Sequence, residues 1–481
     1  MDRRTLLGSG LAGTTLLALG AAAQPAPQIT RTQALDIARL RDLQINRDIV
    51  GRLCRVRKDW RNFTAAEIAA FKAGVQTMMA RPASDPTSWT YQAAMHGSVV
   101  TPAQPLWNSC QHGTLHFLSW HRLFLYYFER ILRVASGNSA LNLPYWDWTY
   151  SRVLPSAFRD TTAGNPLFLA NRSAAINAGA AMPASSVLVS DDMGQTAFNS
   201  FSSGLEGTPH GAVHVSIGGW MGQVPRAAGD PIFWLHHCQI DRLWETWLKQ
   251  GGGRINPTDA TWLDREFDFF DHNGVRVTRK ARDGLALCGT MGYVYGDPFR
   301  FRRLKWTVSR QVLDARIPLR PVLEAAAPAP IALGARTARA TVPVERPATE
   351  AAAATGRTLL LFEGLRVTNP DGYYEIYLNP RAGSRLEPDN PAYAGNLVLF
   401  GVPIEGQSDP HAGHVMEGVA DPRTRALDIS DWLAAQRRRG RKVDPNTIEV
   451  VLRLRTPEGD SALEAAEAPR ASVGSIRIIV E

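Results

Sequence analysis

Apolar positions recur every three to four residues through much of the stretch from about Ile29 to Lys249, the spacing that returns side chains to one face of an α-helix. The clearest segments are Thr64 to Met79, Thr114 to Val134 and Pro231 to Lys249, with a shorter helical run from Ser88 to Met95. In the last long segment Phe233, His237, Ile240, Trp244 and Leu248 fall on one stripe, which predicts a buried helix. From Trp262 to about Trp306 the period drops to two, as in Glu266-Phe-Asp-Phe-Phe270 and Tyr293-Val-Tyr295, and Asn273-Gly274 offers a hairpin turn, so small strands are predicted there. Between Glu324 and Gly356 the chain becomes rich in Ala, Pro and Thr with almost no large apolar side chain, and reads as a linker. Alternating runs return at Thr358 to Phe362, Tyr373 to Leu378, Leu397 to Val402, Ile448 to Leu454 and Ser475 to Val480. The expected architecture is mainly α: a four-helix-bundle domain over 27–320, a linker over 321–357 and a small antiparallel β-sandwich over 358–481.

Composition narrows the setting without changing that picture. The chain has 481 residues, and its 53 Lys and Arg against 45 Asp and Glu leave a mild positive excess that bears on solubility. No nucleic-acid signature accompanies it, and the run Arg437-Arg438-Arg439-Gly440-Arg441-Lys442 reads as a solvated turn. The N-terminus pairs Arg3 with Arg4 before a Gly- and Ala-rich apolar run from Leu6 to Ala23, so residues 1–26 read as a twin-arginine export signal rather than a stable membrane anchor. A periplasmic or secreted location follows from that reading. Four cysteines, Cys54, Cys110, Cys238 and Cys288, are too few for a disulfide framework in a chain of this size.

The chemistry concentrates in histidines. In Thr208-Pro209-His210-Gly-Ala-Val-His214, Thr208 and Pro209 suit a helix start and Gly218-Gly219 its end, so His210 and His214 share one face. In Asp230-Pro231-Ile-Phe-Trp-Leu-His236-His237 the apolar stripe selects His237 as a ligand and leaves His236 as a neighbour about 100° around the helix. Asp241, one turn beyond, can fix an imidazole or pair with Arg242. Upstream, His121 lies within a helix, His112 in the loop before it and His96 at the end of the Ser88 run, while His116 stands apart. Three neutral imidazoles hold a first-row transition metal and leave a position open, and two such triads facing each other suit a diatomic gas.

With these residues in place the chain resembles the type 3 copper proteins, the tyrosinases, catechol oxidases and haemocyanins. The resemblance rests on the spacing of His96, His112 and His121 followed by Arg122, and on Pro-His210-x3-His214 followed by Asp230-Pro-x-Phe-x3-His237-x3-Asp241-Arg-Leu-Trp, with Leu143-Pro-Tyr-Trp-Asp-Trp148 between the halves. It covers about residues 50 to 300. It implies one copper, A, on His96, His112 and His121, a second, B, on His210, His214 and His237, and dioxygen as co-substrate. Cys110 stands where fungal members carry a cysteine joined by a thioether to the histidine at 112. Residues 262 to 296 and 358 to 481 are similar to the tail of plant polyphenol oxidases, whose last domain packs over the copper site and keeps the enzyme latent. His411 and His414 suggest a second, minor role in holding copper in transit, against a plain solvent loop.

The resemblance also implies the reaction: oxidation of o-diphenols to o-quinones by dioxygen, with small phenols as partners and oligomerisation left open. Hydroxylating members carry a glutamate before the first copper-B histidine and an asparagine after it; Glu206 is present, but Gly211 follows His210. Val224 occupies the place where many plant relatives put a bulky phenylalanine over copper A, which implies a wider entrance. Two rivals are an oxygen carrier of haemocyanin type with the same ligands and a zinc hydrolase, although zinc sites of the latter kind usually add a carboxylate.

Overall fold

Thr64 starts the first long helix with a reciprocal cap: its hydroxyl accepts from the Glu67 backbone N–H, and the Glu67 carboxylate accepts from the Thr64 N–H. The computed structural model describes residues 54–296, 312–313, 324–326, 331–333, 337–343, 358–370, 372–406, 423–440, 447–456 and 470–480. The expected export signal, His411 and His414 lie outside them. Helices α1 (Ala65–Met79), α2 (Trp89–His96), α3 (Phe117–Ala135), α4 (Phe198–Leu205), α5 (Ala212–Ile217), α6 (Val224–Ala227) and α7 (Ile232–Lys249) form the helical core. α3 packs on both α1 and α7, and α6 packs on α2. The carboxylate of Asp230 accepts from the Ile232 N–H and, on two oxygens, from buried Arg172, so the Asp-Pro start of α7 is both capped and anchored.

Short strands close this core. β1 (Arg55–Arg57) pairs in parallel with a distant strand at 293–295, while β2 (Glu266–Phe270) and β3 (Arg276–Lys280) make the hairpin expected around Asn273-Gly274. The partner of β1 is β4 (Tyr293–Tyr295). A disulfide joins Cys54 to Cys288, tying the start of β1 to the turn before β4, and leaves Cys110 and Cys238 as buried thiols. The cysteine count gave no hint of this pairing. Because it closes a loop with a sequence separation of 234, replacing both cysteines with serine is expected to lower unfolding stability by about 2–4 kcal/mol, measurable by denaturant titration.

The C-terminal domain is built of antiparallel sheets, and its composition corrects one sequence expectation. β5 (Val312–Leu313), β6 (Glu324–Ala326), β7 (Ile331–Leu333) and β8 (Thr337–Pro343) fall in or just before the stretch read as linker. They join β9 (Thr358–Glu363), β10 (Arg366–Val367), β11 (Tyr373–Leu378), β12 (Tyr393–Val398), β13 (Arg425–Asp428), β14 (Thr447–Arg455), β15 (Ala471–Val473) and β16 (Ser475–Val480). The orders are β12-β11-β14-β8, β5-β13-β9-β16-β6 and β10-β15-β7. β8 pairs with β14 along its whole length, from Thr337 to Pro343. The reason is packing: Ala338, Ala340 and Val342 turn inward and are buried, so small side chains supply a core face that composition alone conceals.

This domain lies on the helical core. Tyr373, Val398 and Phe400 belong to the same apolar cluster as the helices, and β12 touches the turn Glu206–Gly211. Beside them the Ser185 hydroxyl donates to the Glu375 carboxylate at 2.6 Å and lies 2.5 Å from the Tyr373 hydroxyl, while the Asn396 amide donates to the Ser185 carbonyl at 3.0 Å.

Candidate metal centre

His96 is the last residue of α2, and Gly97 after it admits a close neighbour: a Cβ there would lie 2.9 Å from the Val224 carbonyl and 2.7 Å from Pro225 Cα. The approach lets the Val224 carbonyl accept from His96 Nδ1 at 3.1 Å. Main-chain carbonyls do the same for His121 (Phe117, 2.7 Å), His210 (Glu206, 2.9 Å) and His214 (Met221, 2.7 Å). A carbonyl can only accept, so each Nδ1 carries the proton and each Nε2 presents a lone pair. His121 Nε2 is buried without a hydrogen-bond partner, as a ligand atom facing an ion would be.

The rings converge. Centroids of His96 lie 4.8 Å from His112 and 5.6 Å from His121, and His112 lies 5.1 Å from His121. In the second triad His210 lies 4.6 Å from His214 and 5.0 Å from His237. The triads face each other through His121 and His237, stacked at 4.5 Å, and through His112 and His210 at 5.5 Å. His214 Nε2 and His237 Nε2 approach to 3.3 Å, close enough to share a proton or a cation. Burial and then the neighbouring imidazoles push the His214 and His237 pKa values well below the usual 6.5, and burial followed by His210 takes His121 down to about 3 against the opposing Phe117 hydrogen bond. At neutral pH these imidazoles are therefore uncharged. Donor atoms of His96, Cys110 and His112, of His96, His121 and His237, and of His210, His214, His236 and His237 lie close enough together to hold a metal ion.

The other residues singled out from the sequence fall around this centre. Ligand-sized groups include His236 with His210, His214 and His237, but His236 Nδ1 accepts from the Trp148 indole at 3.1 Å, which ties it to Trp148 of the Trp-Asp-Trp segment. Cys110 Sγ sits 3.4 Å from His112 Nδ1. Glu206 is buried; its carboxylate accepts from the Gly113 N–H at 2.7 Å, so it bridges the two triads' loops as well as orienting His210. Thr208 adopts an extended conformation before Pro209 but makes no side-chain cap. Val224 acts on His96 through its backbone. His116 stays apart, stacked on Trp262 at 5.3 Å, its pKa lowered to about 4 by burial and Arg265 against the pull of Asp259.

Asp241 sits in a buried network, while Arg242 bonds Asp147 and Gln239. Asp241 accepts from Arg122 at 2.5 Å, from the Tyr293 and Tyr295 hydroxyls at 2.6 Å each and, more loosely, from Arg57 at 3.4 Å. These partners come from α3, β4 and β1, too far apart in sequence for any local pattern to announce. Phe400 was also unforeseen: it reaches from the C-terminal domain to stack on His214 at 4.3 Å and lies 5.5 Å from His210 and 5.7 Å from His112.

The fold brings together buried clusters of histidines that could bind metal. Residues 86–186 and 168–250 match the common central domain of tyrosinase, 256–312 the polyphenol oxidase middle domain, and 318–465 a domain of unknown function. A tyrosinase of Hahella sp. (strain CCB-MM4) is 30% identical over 430 residues, 77% of this chain and 89% of that one. Latent apple tyrosinase shares the fold with a TM-score of 0.61 at 21% identity, over 89% of this chain and 97% of that chain. The deoxygenated haemocyanin of Rapana thomasiana is more distant, at 0.50 and 16%, over 88% and 99%. The chain belongs to the tyrosinase and polyphenol oxidase family and is an enzyme of that kind. Among the described residues no helix is long and apolar enough to cross a membrane.

Proposed function

We propose that this enzyme is a dicopper oxidase that converts o-diphenols to o-quinones and is held latent by its own C-terminal domain. The observation that carries the reading is the convergence of two buried imidazole triads, with four Nδ1–H groups anchored to backbone carbonyls. In this reading His96, His112 and His121 hold copper A, and His210, His214 and His237 hold copper B, on a four-helix arrangement of ligand-bearing segments. The copper pair, when bound, supplies dioxygen binding and the two-electron oxidation of the diphenol.

The chain's own groups do the rest. Uncharged imidazoles leave the centre cationic, which attracts a phenolate and eases loss of its proton. Trp120, Phe233 and Phe117 back the ligands and keep bulk water out. Glu206 is a carboxylate that could act as a base through water, but its Oε1 is engaged by Gly113, and Gly211 supplies no side-chain amide beside it. That favours diphenol oxidation over monophenol hydroxylation. Val224, buried beside His96, leaves the copper-A side without an aromatic gate of its own. Cys110, 3.4 Å from His112 Nδ1, could form a thioether to that ring: the S–H and a ring C–H would be lost as two protons, with dioxygen as the two-electron oxidant. Peptide mass spectrometry reads the loss of two hydrogens directly. The disulfide suits an oxidising compartment and hence export.

Purified chain reconstituted with copper is expected to carry two coppers and, once opened, to oxidise 4-methylcatechol faster than p-cresol. Replacing His214 with alanine should leave one copper, with diphenol oxidation reduced at least a hundredfold, on the order expected when one half of a two-metal clamp is lost. Reversible oxygen uptake without quinone would instead mark a carrier.

A further inference from the structure

Gly211 follows the first copper-B ligand and has ordinary right-handed helical angles, φ −63° and ψ −35°. Nothing in its backbone asks for glycine, which weakens a helix relative to alanine. The demand comes from space. A Cβ at 211 would lie 3.0 Å from Val398 Cγ1, 3.3 Å from Phe400 Cβ and 3.4 Å from the Glu206 carbonyl. The two nearest of these atoms belong to the C-terminal domain; the one from the catalytic domain is at ordinary contact distance.

We propose that Gly211 is a docking notch: its missing side chain lets the end of β12 close on the copper-B segment and seats Phe400 against His214. This rests on the latency reading above. A side chain at 211 pushes Val398 and Phe400 outward. A larger residue there is therefore accompanied by a looser C-terminal domain.

The test uses full-length, copper-loaded chain carrying a protease site between Tyr295 and Val312, and reads the ratio of catechol oxidation after cutting to that before. A ratio cancels any direct effect of residue 211 on turnover. Gly211→Ala is expected to lower this ratio about tenfold, as overpacking by one methyl displaces a well-packed neighbour, and to speed hydrogen exchange of the β12 amides in the intact chain. Adding Val398→Ala, which empties the space the new methyl needs, should restore both readouts. A wild-type chain that gains nothing on cutting overturns the latency reading and the notch with it. Cutting that activates both chains by the same factor overturns the notch alone, as does a Gly211→Ala effect that Val398→Ala fails to reverse.

Discussion

Phe400→Ala is expected to raise oxidation of 4-methylcatechol by the intact, copper-loaded chain about 10- to 100-fold. The ring stacks on His214 and contacts His210 and His112, so it occupies a flat aromatic slot at the centre of the triads. Burying one such side chain is worth about 1.5–3 kcal/mol, and about 1.4 kcal/mol is a tenfold change in population. A diphenol ring competes for the same face, so the apparent KM of the wild-type chain is raised by the closed fraction. The variant should therefore gain mainly through a lower KM, with kcat nearly unchanged. Cutting gives a sharper geometrical check. A nick between 344 and 356 should release little, because β8 lies before it and stays paired with β14. A nick between Tyr295 and Val312 places all of β5 to β16 on one fragment and should activate fully. Unchanged activity in Phe400→Ala, at full copper content, would sink the plug.

Much of the catalytic half could be read in advance because its signals are local. The segments expected from Thr64, Ser88 and Pro231 start helices within two residues of where apolar periodicity placed them. The spacing of His210 and His214 likewise requires only one helical face. Which nitrogen of each ring is free was illegible, since it depends on carbonyls such as Met221 and Val224 brought in by the tertiary fold. The strands at 324–343 were missed for a different reason. Thr337–Pro343 does alternate, but its inward positions are two alanines and a valine, too small to register against a Pro- and Ala-rich background. Phe400 was hidden by a boundary: the run expected to continue to Val402 ends as a strand at Val398, and the turn after it swings the ring onto the metal centre.

Asp241→Ala should destabilise the protein by about 3–5 kcal/mol, the range for stripping one partner from a buried charge network. Arg57, Arg122, Glu129 and Asp241 are all buried, two cations against two anions, and Arg57 also bonds Glu129 at 2.8 Å. The guanidinium of Arg57 lies over Tyr293 at 3.7 Å and that of Arg122 over Trp244 at 3.6 Å. Removing Asp241 leaves one buried positive charge uncompensated and two tyrosine hydroxyls without their acceptor. The network also acts on the site. Arg122 follows His121, and Asp241 stands one turn after His237, so their ion pair fixes the spacing of α3 and α7 beside these two histidines. Copper retention should fall with stability, and pairing Asp241→Ala with Arg122→Met should recover part of the loss in a double-mutant cycle. Acid has the same target. Burial raises the Asp241 pKa, but Arg122 and Arg57 together hold it below its usual 3.8, and Arg57 and Arg133 hold Glu129 below 4.5 against the same penalty. Their folded values lie under the unfolded ones, so this contribution is complete above those usual values and is lost as pH falls through the folded ones. Thermal unfolding of wild type and Asp241→Ala should converge at low pH; a constant gap between them down to acid unfolding would show that the charge of Asp241 is not what holds the helices together.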